Sequence, residues 1–289
     1  MRILILGGDG MLGHRLLRQF APHHETRVTL HQPLDAYRQF RQFDRGNAYD
    51  GVDVLDAARV IEIFSDFEPQ AAINAAGIVK QRPDMKDEVL SIEINGVFPH
   101  LLSRVCRAHG TRLIHLSTDC VFSGKQGNYS ENDRPDPEDA YGFGKLLGEA
   151  DGRGALTLRT SMIGLELKRK TSLVEWFLAQ RGKSIKGWRK TIFSGFTTAE
   201  MSRLIETLVC KFPDAHGIYH ASSDPISKFD LLAGIESRIR SGTRIEPDDS
   251  FQCDRSLDST RFRAAFGYSP PGWDAMLDEL ASDILKGSR

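Results

Sequence analysis

The chain has 289 residues, a formal net charge of −1, 40% hydrophobic and 27% charged residues. That length suits one large α/β domain or two small ones, and the balanced charge gives no sign of a general nucleic-acid binder. No apolar run approaches the ~20 residues of a membrane span, and the scattered Cys106, Cys120, Cys210 and Cys253 form no CxxC pair, which argues against a zinc site or a disulfide framework.

The first 160 or so residues alternate short apolar runs with amphipathic stretches. "RILILG" reads as a fully buried strand, and "MLGHRLLRQFA" as a helix with Met11, Leu12, Leu16, Leu17 and Phe20 on one face. "RVTLH" is a second strand, "GVDVLD" the expected third, and "DAARVIEIFSDF" a helix. "QAAINAAG" is a strand running into a turn. "SIEINGVFPHLLSRVCRAHG" is a long helix with Gly110 as its C-terminal stop. "TRLIHLST" and "ALTLRTSMIG" are further strands. Strands alternating with helices imply a parallel sheet with right-handed crossovers. Ligands then bind beyond the carboxyl ends of the strands.

After about residue 163 the rhythm loosens. "TSLVEWFLAQRGK", "TTAEMSRLIETLVCKF", "SKFDLLAGIESRIRSG" and "GWDAMLDELASDILK" read as amphipathic helices. Short strands are expected between them at "GIYHAS" and "TRIEPD". With no internal repeat and no low-complexity linker, the second half reads as a smaller lobe built onto the sheet.

"ILGGDGMLG" puts Gly7, Gly10 and Gly13 at the spacing GxxGxxG between a strand and a helix, with Met11 and Leu12 among them. Gly7 permits a tight turn, Gly10 lets backbone approach a pyrophosphate, and Gly13 lets the helix pack closely on the sheet. The helix N-terminus offers free N–H groups and the positive end of its dipole. The second strand ends "TLHQP", without the acid that grips ribose hydroxyls in NAD-specific domains, while Arg38 and Arg41 follow it and suit a 2′-phosphate. This favours NADP(H) over NAD(H). Asp53 and Val54 fall where an adenine would lie.

"IHLSTDCVFSG" is an apolar strand ending in Ser117, Thr118 and Asp119, polar groups placed to face a ligand. Tyr141 and Lys145 follow in "DAYGFGKLLGEA", four apart and so on one helix face. A tyrosine with its ordinary pKa near 10 needs a neighbouring ammonium to exchange protons near neutrality. Gly142, Gly144 and Gly148 are out of place there, each costing a helix roughly 1 kcal/mol relative to alanine. The expectation is that Gly142 and Gly144 leave the helix surface bare for a cofactor ribose or substrate.

On these residues the chain resembles an extended short-chain dehydrogenase/reductase, and within that group it is similar to the dTDP-4-dehydrorhamnose reductases. The resemblance runs through the glycine loop, "INAAG", "EINGVFPHLL" with Asn95, "STDCVFSG", "YGFGK", "GEA", "LRTSMIG", "FSGFTTAEM", "GIYHASS" and "DRSLDSTRFRAAFGY". It implies a Rossmann-type doubly wound parallel sheet over residues 1–163. A smaller C-terminal α+β substrate lobe would follow over 164–289, with some segments returning to the first domain. It also implies a cytoplasmic oxidoreductase that reduces a keto-deoxysugar nucleotide for surface polysaccharide synthesis, with no metal, no membrane and no nucleic-acid partner, and it allows a homodimer.

By resemblance Thr118, Tyr141 and Lys145 form the catalytic triad. Gly7, Gly10, Met11, Leu12, Gly13, Arg38, Asp53, Val54, Ala75, Ala76 and Gly77 line the cofactor with Tyr141 and Lys145. Lys80, Cys120, Trp176, Lys186, Trp188 and Arg255 are candidate substrate contacts. Two departures fall at the sugar: Cys120 stands where the family has a tyrosine, and "GIVKQRPDMKD" is made basic by Lys80 and Arg82 where the family loop is acidic. A nucleotide-sugar epimerase, which shares the triad, and a regulatory NADP-binding subunit like that of methionine adenosyltransferase remain as alternatives.

Overall fold

The computed structural model describes residues 1–79 and 87–287. In chain order the elements are β1 (Arg2–Leu6), α1 (Gly13–Phe20), β2 (Glu25–Thr29), β3 (Ala48–Tyr49), α2 (Ala57–Phe67), β4 (Ala71–Asn74), α3 (Glu88–Ile92), α4 (Phe98–Ala108), β5 (Arg112–Leu116), α5 (Ala140–Leu147), β6 (Ala155–Arg159) and β7 (Met162–Ile163). Then come α6 (Leu173–Leu178), β8 (Ser184–Trp188), β9 (Thr191–Phe193), β10 (Phe196–Thr197), α7 (Thr198–Lys211), β11 (Gly217–His220), β12 (Ile226–Ser227), α8 (Lys228–Ile239), β13 (Arg244–Asp248), β14 (Cys253–Asp254), α9 (Thr260–Phe266) and α10 (Trp273–Gly287).

The chain forms two compact units. Met1–Ser117, Asp139–Leu158 and Ser202–Ile218 make the first; Thr118–Glu138, Arg159–Met201 and Tyr219–Arg289 make the second. Residues 118–138 and 159–163 group with the second unit, and 202–218 with the first.

The main sheet has seven strands in the order β11-β6-β5-β4-β1-β2-β3. Every pairing from β3 across to β6 is parallel. This is the doubly wound order with its switch point between β1 and β4, extended by one strand. β4, β5 and β6 are buried along their whole length and β1 beyond its first residue, as strands covered on both faces must be. Leu4 and Leu6, two apart and so on one face, pack with Val60, Ile63, Phe64, Phe98 and Leu102. The fold is α/β and Rossmann-type.

The expected third strand at "GVDVLD" is a loop, and the strand there is the earlier β3. Gly51 turns the chain at φ +63, and Asp53 accepts a hydrogen bond from the Leu55 N–H at 3.0 Å. The spacing of Val52 and Val54 imitates a strand, but only Val52 continues the ladder, donating to Leu30 O at 2.9 Å. The long helix is also not uniform. A π-helical segment, Glu93–Val97, joins α3 to α4. Pro99 accounts for it, because it has no N–H for the Asn95 carbonyl four residues earlier. Gly110, at φ +65, follows the last turn.

The second unit has its own core, in which Ile163, Val174, Phe177, Leu231, Ile235, Leu277 and Leu280 are buried together. Its strands form small sheets, β10-β7, β12-β9-β14 and β13-β8. "ALTLRTSMIG" is thus two strands, β6 in the main sheet and β7 beside β10, and "GIYHAS" supplies β11 of the main sheet. The helix α9 is too short for its periodicity to be legible. No described helix is long and apolar enough to cross a membrane. Among the described residues no cluster of His, Cys, Asp or Glu could hold a metal, and the four cysteines are free thiols.

Candidate active site

The loop after β1 turns at Gly7, whose φ is +85. A Cβ there would lie 2.8 Å from the Ala76 backbone, so the loop rests on the chain just beyond β4. Gly13 is as constrained, because a Cβ there would run into the Gly7 carbonyl oxygen. Gly10 differs. Its Cβ would meet only Gly7 O at 3.2 Å and Ala75 O at 3.9 Å, and nothing else within 4 Å. Gly7 and Gly13 therefore shape the loop, and the space at Gly10 stays largely open. No side chain caps α1 at Leu12, so the positive end of its dipole is left without a side-chain acceptor. Ala75, Ala76 and Gly77 are half-buried beside this loop, as is Met11. The buried Tyr37 fastens the loop by donating to Asp9 Oδ2 at 2.7 Å.

Arg38 is exposed and paired with Asp35 at 2.8 Å, and Arg41 is exposed. Asp53 is exposed in the loop before α2 and Val54 is half-buried.

α5 begins at Ala140 because Asp139 caps it, accepting from the Gly142 N–H at 2.8 Å. Tyr141 is half-buried and Lys145 is buried, 6% exposed. Burial drives the Lys145 pKa down to about 8, against the opposing pull of Glu149. Glu149 is itself tied to the end of β5, where Ser117 Oγ donates to its Oε1 at 2.7 Å. On β5, His115 is wholly buried. Asn74 Oδ1 accepts from Ala76 N at 3.2 Å, which turns the Asn74 amide nitrogen toward His115 Nδ1 at 3.1 Å. Nδ1 is then the acceptor and Nε2 carries the proton. Burial and the nearby Lys145 hold this imidazole neutral, its pKa well below the ordinary value.

The expected role of Gly144 is corrected. A Cβ at Gly144 would lie 3.3 Å from Asn95 Cβ and 3.7 Å from Ser91 O, so this glycine faces the neighbouring helix and not a ligand. Asn95, quoted in the sequence only as part of a motif, also clamps the segment after β4. Its amide donates to Ile78 O at 2.9 Å and accepts from Ile78 N at 3.1 Å. An asparagine on the buried face of an amphipathic helix is the signal that marks it.

In the second unit Thr118 caps a short 3₁₀ turn, its Oγ1 accepting from Cys120 N at 3.1 Å and donating to Asp119 Oδ1 at 3.2 Å. Burial raises the pKa of Asp119, with Arg255 opposing. The Cys120 thiol is pushed up to about 12 by burial and the Asp119 charge, so it is not a nucleophile near neutrality. Arg255 donates to Phe122 O at 2.8 Å and reaches Cys120 Sγ at 3.8 Å, so the structure brings these two candidates together. Lys228, absent from the sequence reading, feels the same Asp119, Cys120 and Cys253, and its Nζ lies 5.4 Å over the Trp188 ring. Trp188 also meets Phe251 at 5.0 Å between ring centres. Lys186 is an exposed partner of Asp248 at 2.9 Å, and Trp176 is exposed on α6. Lys80 lies outside the described residues.

A model of the RmlD substrate binding domain family matches residues 1–285. Among curated relatives, methionine adenosyltransferase 2 subunit beta from Bos taurus is 29% identical over 177 residues, 58% of this chain and 48% of that one. The chain spans about half the length of the first curated relatives it matches. dTDP-4-dehydrorhamnose reductase of Streptomyces griseus is 27% identical over 308 residues, 96% of this chain and 92% of that one. Among solved structures, dTDP-4-dehydrorhamnose reductase from Bacillus anthracis in complex with NADP has a TM-score of 0.78 at 20% identity, covering 98% of this chain and 99% of that one.

Proposed function

Because this chain belongs to the RmlD substrate binding domain family, we propose that it is an NAD(P)H-dependent reductase of a keto group on a nucleotide-activated deoxysugar, working in surface polysaccharide synthesis. The observation that carries this reading is the buried Lys145 one helical turn beyond Tyr141 on α5. A lysine is seldom buried without a task, since burial penalises its charge. The relative from Streptomyces griseus, matched along nearly its whole length, supports the substrate class.

The loop fits a dinucleotide: the uncapped N-terminus of α1 and the open space at Gly10 suit a pyrophosphate. The bound nicotinamide supplies the hydride. Tyr141 gives the proton to the carbonyl oxygen, and Thr118 polarises that oxygen through its hydroxyl, which turns away from Asp119 to do so. Lys145 lowers the Tyr141 pKa and orients the nicotinamide ribose. Because its own pKa is about 8, Lys145 performs both roles best below that pH. Arg255, Lys228 and Cys120 contact the sugar nucleotide.

NADP(H) is the preferred cofactor, on the missing acid after β2. Solved neighbours in complex with NADP and with NAD are both known, so the choice rests on that loop alone. Titration with both cofactors tests it: NADPH binds at least as tightly as NADH, and a clear preference for NADH contradicts the reading of that loop. The likeness to methionine adenosyltransferase 2 subunit beta favours one other reading, a regulatory subunit. Cofactor binding with no turnover on any keto-sugar nucleotide, and a stable complex with a larger enzyme, would establish that reading instead.

A further inference from the structure

Nothing in the reductase reading accounts for Glu149. It lies one turn beyond Lys145, just past the end of α5 at Gly148. Its half-buried carboxylate accepts a hydrogen bond from Ser117 Oγ, at the carboxyl end of β5, at 2.7 Å. That hydrogen bond ties the only acid of "GKLLGEA", four residues beyond the buried Lys145, to the strand whose end carries the site.

We propose that Glu149, anchored by Ser117, is a positioning residue that keeps the Lys145 ammonium charged and oriented on the buried face of α5. The inference rests on the role given above to Lys145. A lysine so enclosed loses its proton unless an opposite charge is held nearby. Among the described residues the other facing groups do not supply one. From β5 the titratable group is His115, held neutral by burial and by Asn74. The α3–α4 helix turns Asn95 and the Ser91 carbonyl toward α5, which do not titrate, and His100, whose ring meets the Leu147 carbonyl at 2.6 Å and can add only positive charge. Tyr141, on α5 itself, is neutral until it gives up its proton. Glu149 is the charge that opposes the desolvation of Lys145. Ser117 is then a second positioning residue, since without its hydroxyl the carboxylate is free to swing toward water.

The test is NADPH affinity, followed by fluorescence from pH 7 to 9.5 in the parent, Glu149→Gln, Ser117→Ala and Lys145→Met. In the parent, affinity falls as Lys145 loses its proton around pH 8. In Glu149→Gln that fall moves down by about one pH unit. Binding at pH 8 is then about fivefold weaker than in the parent, and at pH 7 within about twofold. Ser117→Ala shifts the same way by less, and reports even if Glu149→Gln folds poorly. Affinity lowered by one factor at every pH, or a fall at the parent's pH in both variants, overturns the inference. Lys145→Met separates the two levels. If it binds NADPH as the parent does, with the same pH dependence, the role given to Lys145 itself fails. If it binds weakly and without the step near pH 8, that role stands and the outcome for Glu149 is decided by its own variant.

Discussion

Gly148 lies directly against the backbone carbonyl of Asn95, with no room between them for a single methyl group. That carbonyl belongs to the π-helical segment, where Pro99 has no N–H to offer it. Gly144 and Gly96 meet along the same seam: a Cβ at Gly96 would lie 3.3 Å from Gly144 O. These glycines let α5 lie close on its neighbour, and so set the height at which Tyr141 and Lys145 stand.

Gly148→Ala should therefore destabilise the fold by about 1–3 kcal/mol, the usual penalty of overpacking, despite the gain in helix propensity. Gly144→Ala, with a 3.3 Å neighbour, should lose less. Urea titrations of both variants measure this. A Gly148→Ala variant as stable as the parent would show that the seam yields freely.

The phosphate loop predicts a split among its own glycines. Gly10→Ala meets only the Gly7 carbonyl at 3.2 Å, so the fold should survive while NADPH affinity falls at least tenfold. Gly13→Ala collides with backbone and should unfold at lower temperature before any question of affinity arises. Thermal melts with and without NADPH distinguish them. Full NADPH affinity in Gly10→Ala contradicts the pyrophosphate assignment.

Lys145 carries a stability penalty with a defined pH window. Its pKa is about 8 in the fold against an ordinary 10.5, so the folded state resists the charge. The penalty is fully present below pH 8. Between 8 and 10.5 the unfolded chain binds more protons, and the parent gains stability as pH rises. Lys145→Met should thus be more stable than the parent at pH 7 by up to about 3 kcal/mol, with the difference shrinking toward pH 10. Denaturant titrations at both pH values check the sign. A variant less stable at pH 7 contradicts it.

Much of this was legible in the sequence because it is local. The glycine loop, the strand ending in Ser117 and Thr118, and the Tyr141–Lys145 pair are each carried by neighbours in the chain. The errors came from distant partners. Gly144 looked like clearance for a ligand because Asn95 is not near it in sequence. "GVDVLD" looked like a strand because the β2 ladder, whose hydrogen bonds stop at Val52, cannot be seen from within it. Ser117 and Glu149 meet only because β5 and α5 lie together.

The central claim is that Tyr141 gives a proton to a keto sugar while NADPH is consumed. The direct measurement is NADPH oxidation, followed by absorbance, with a panel of 4-keto-6-deoxysugar nucleotides for the parent and Tyr141→Phe at equal NADPH occupancy. The account predicts turnover by the parent with at least one of them, and a loss of roughly 10²–10⁴ in Tyr141→Phe with NADPH affinity almost unchanged. Equal turnover by the two proteins, or none by the parent across the whole panel, would contradict it.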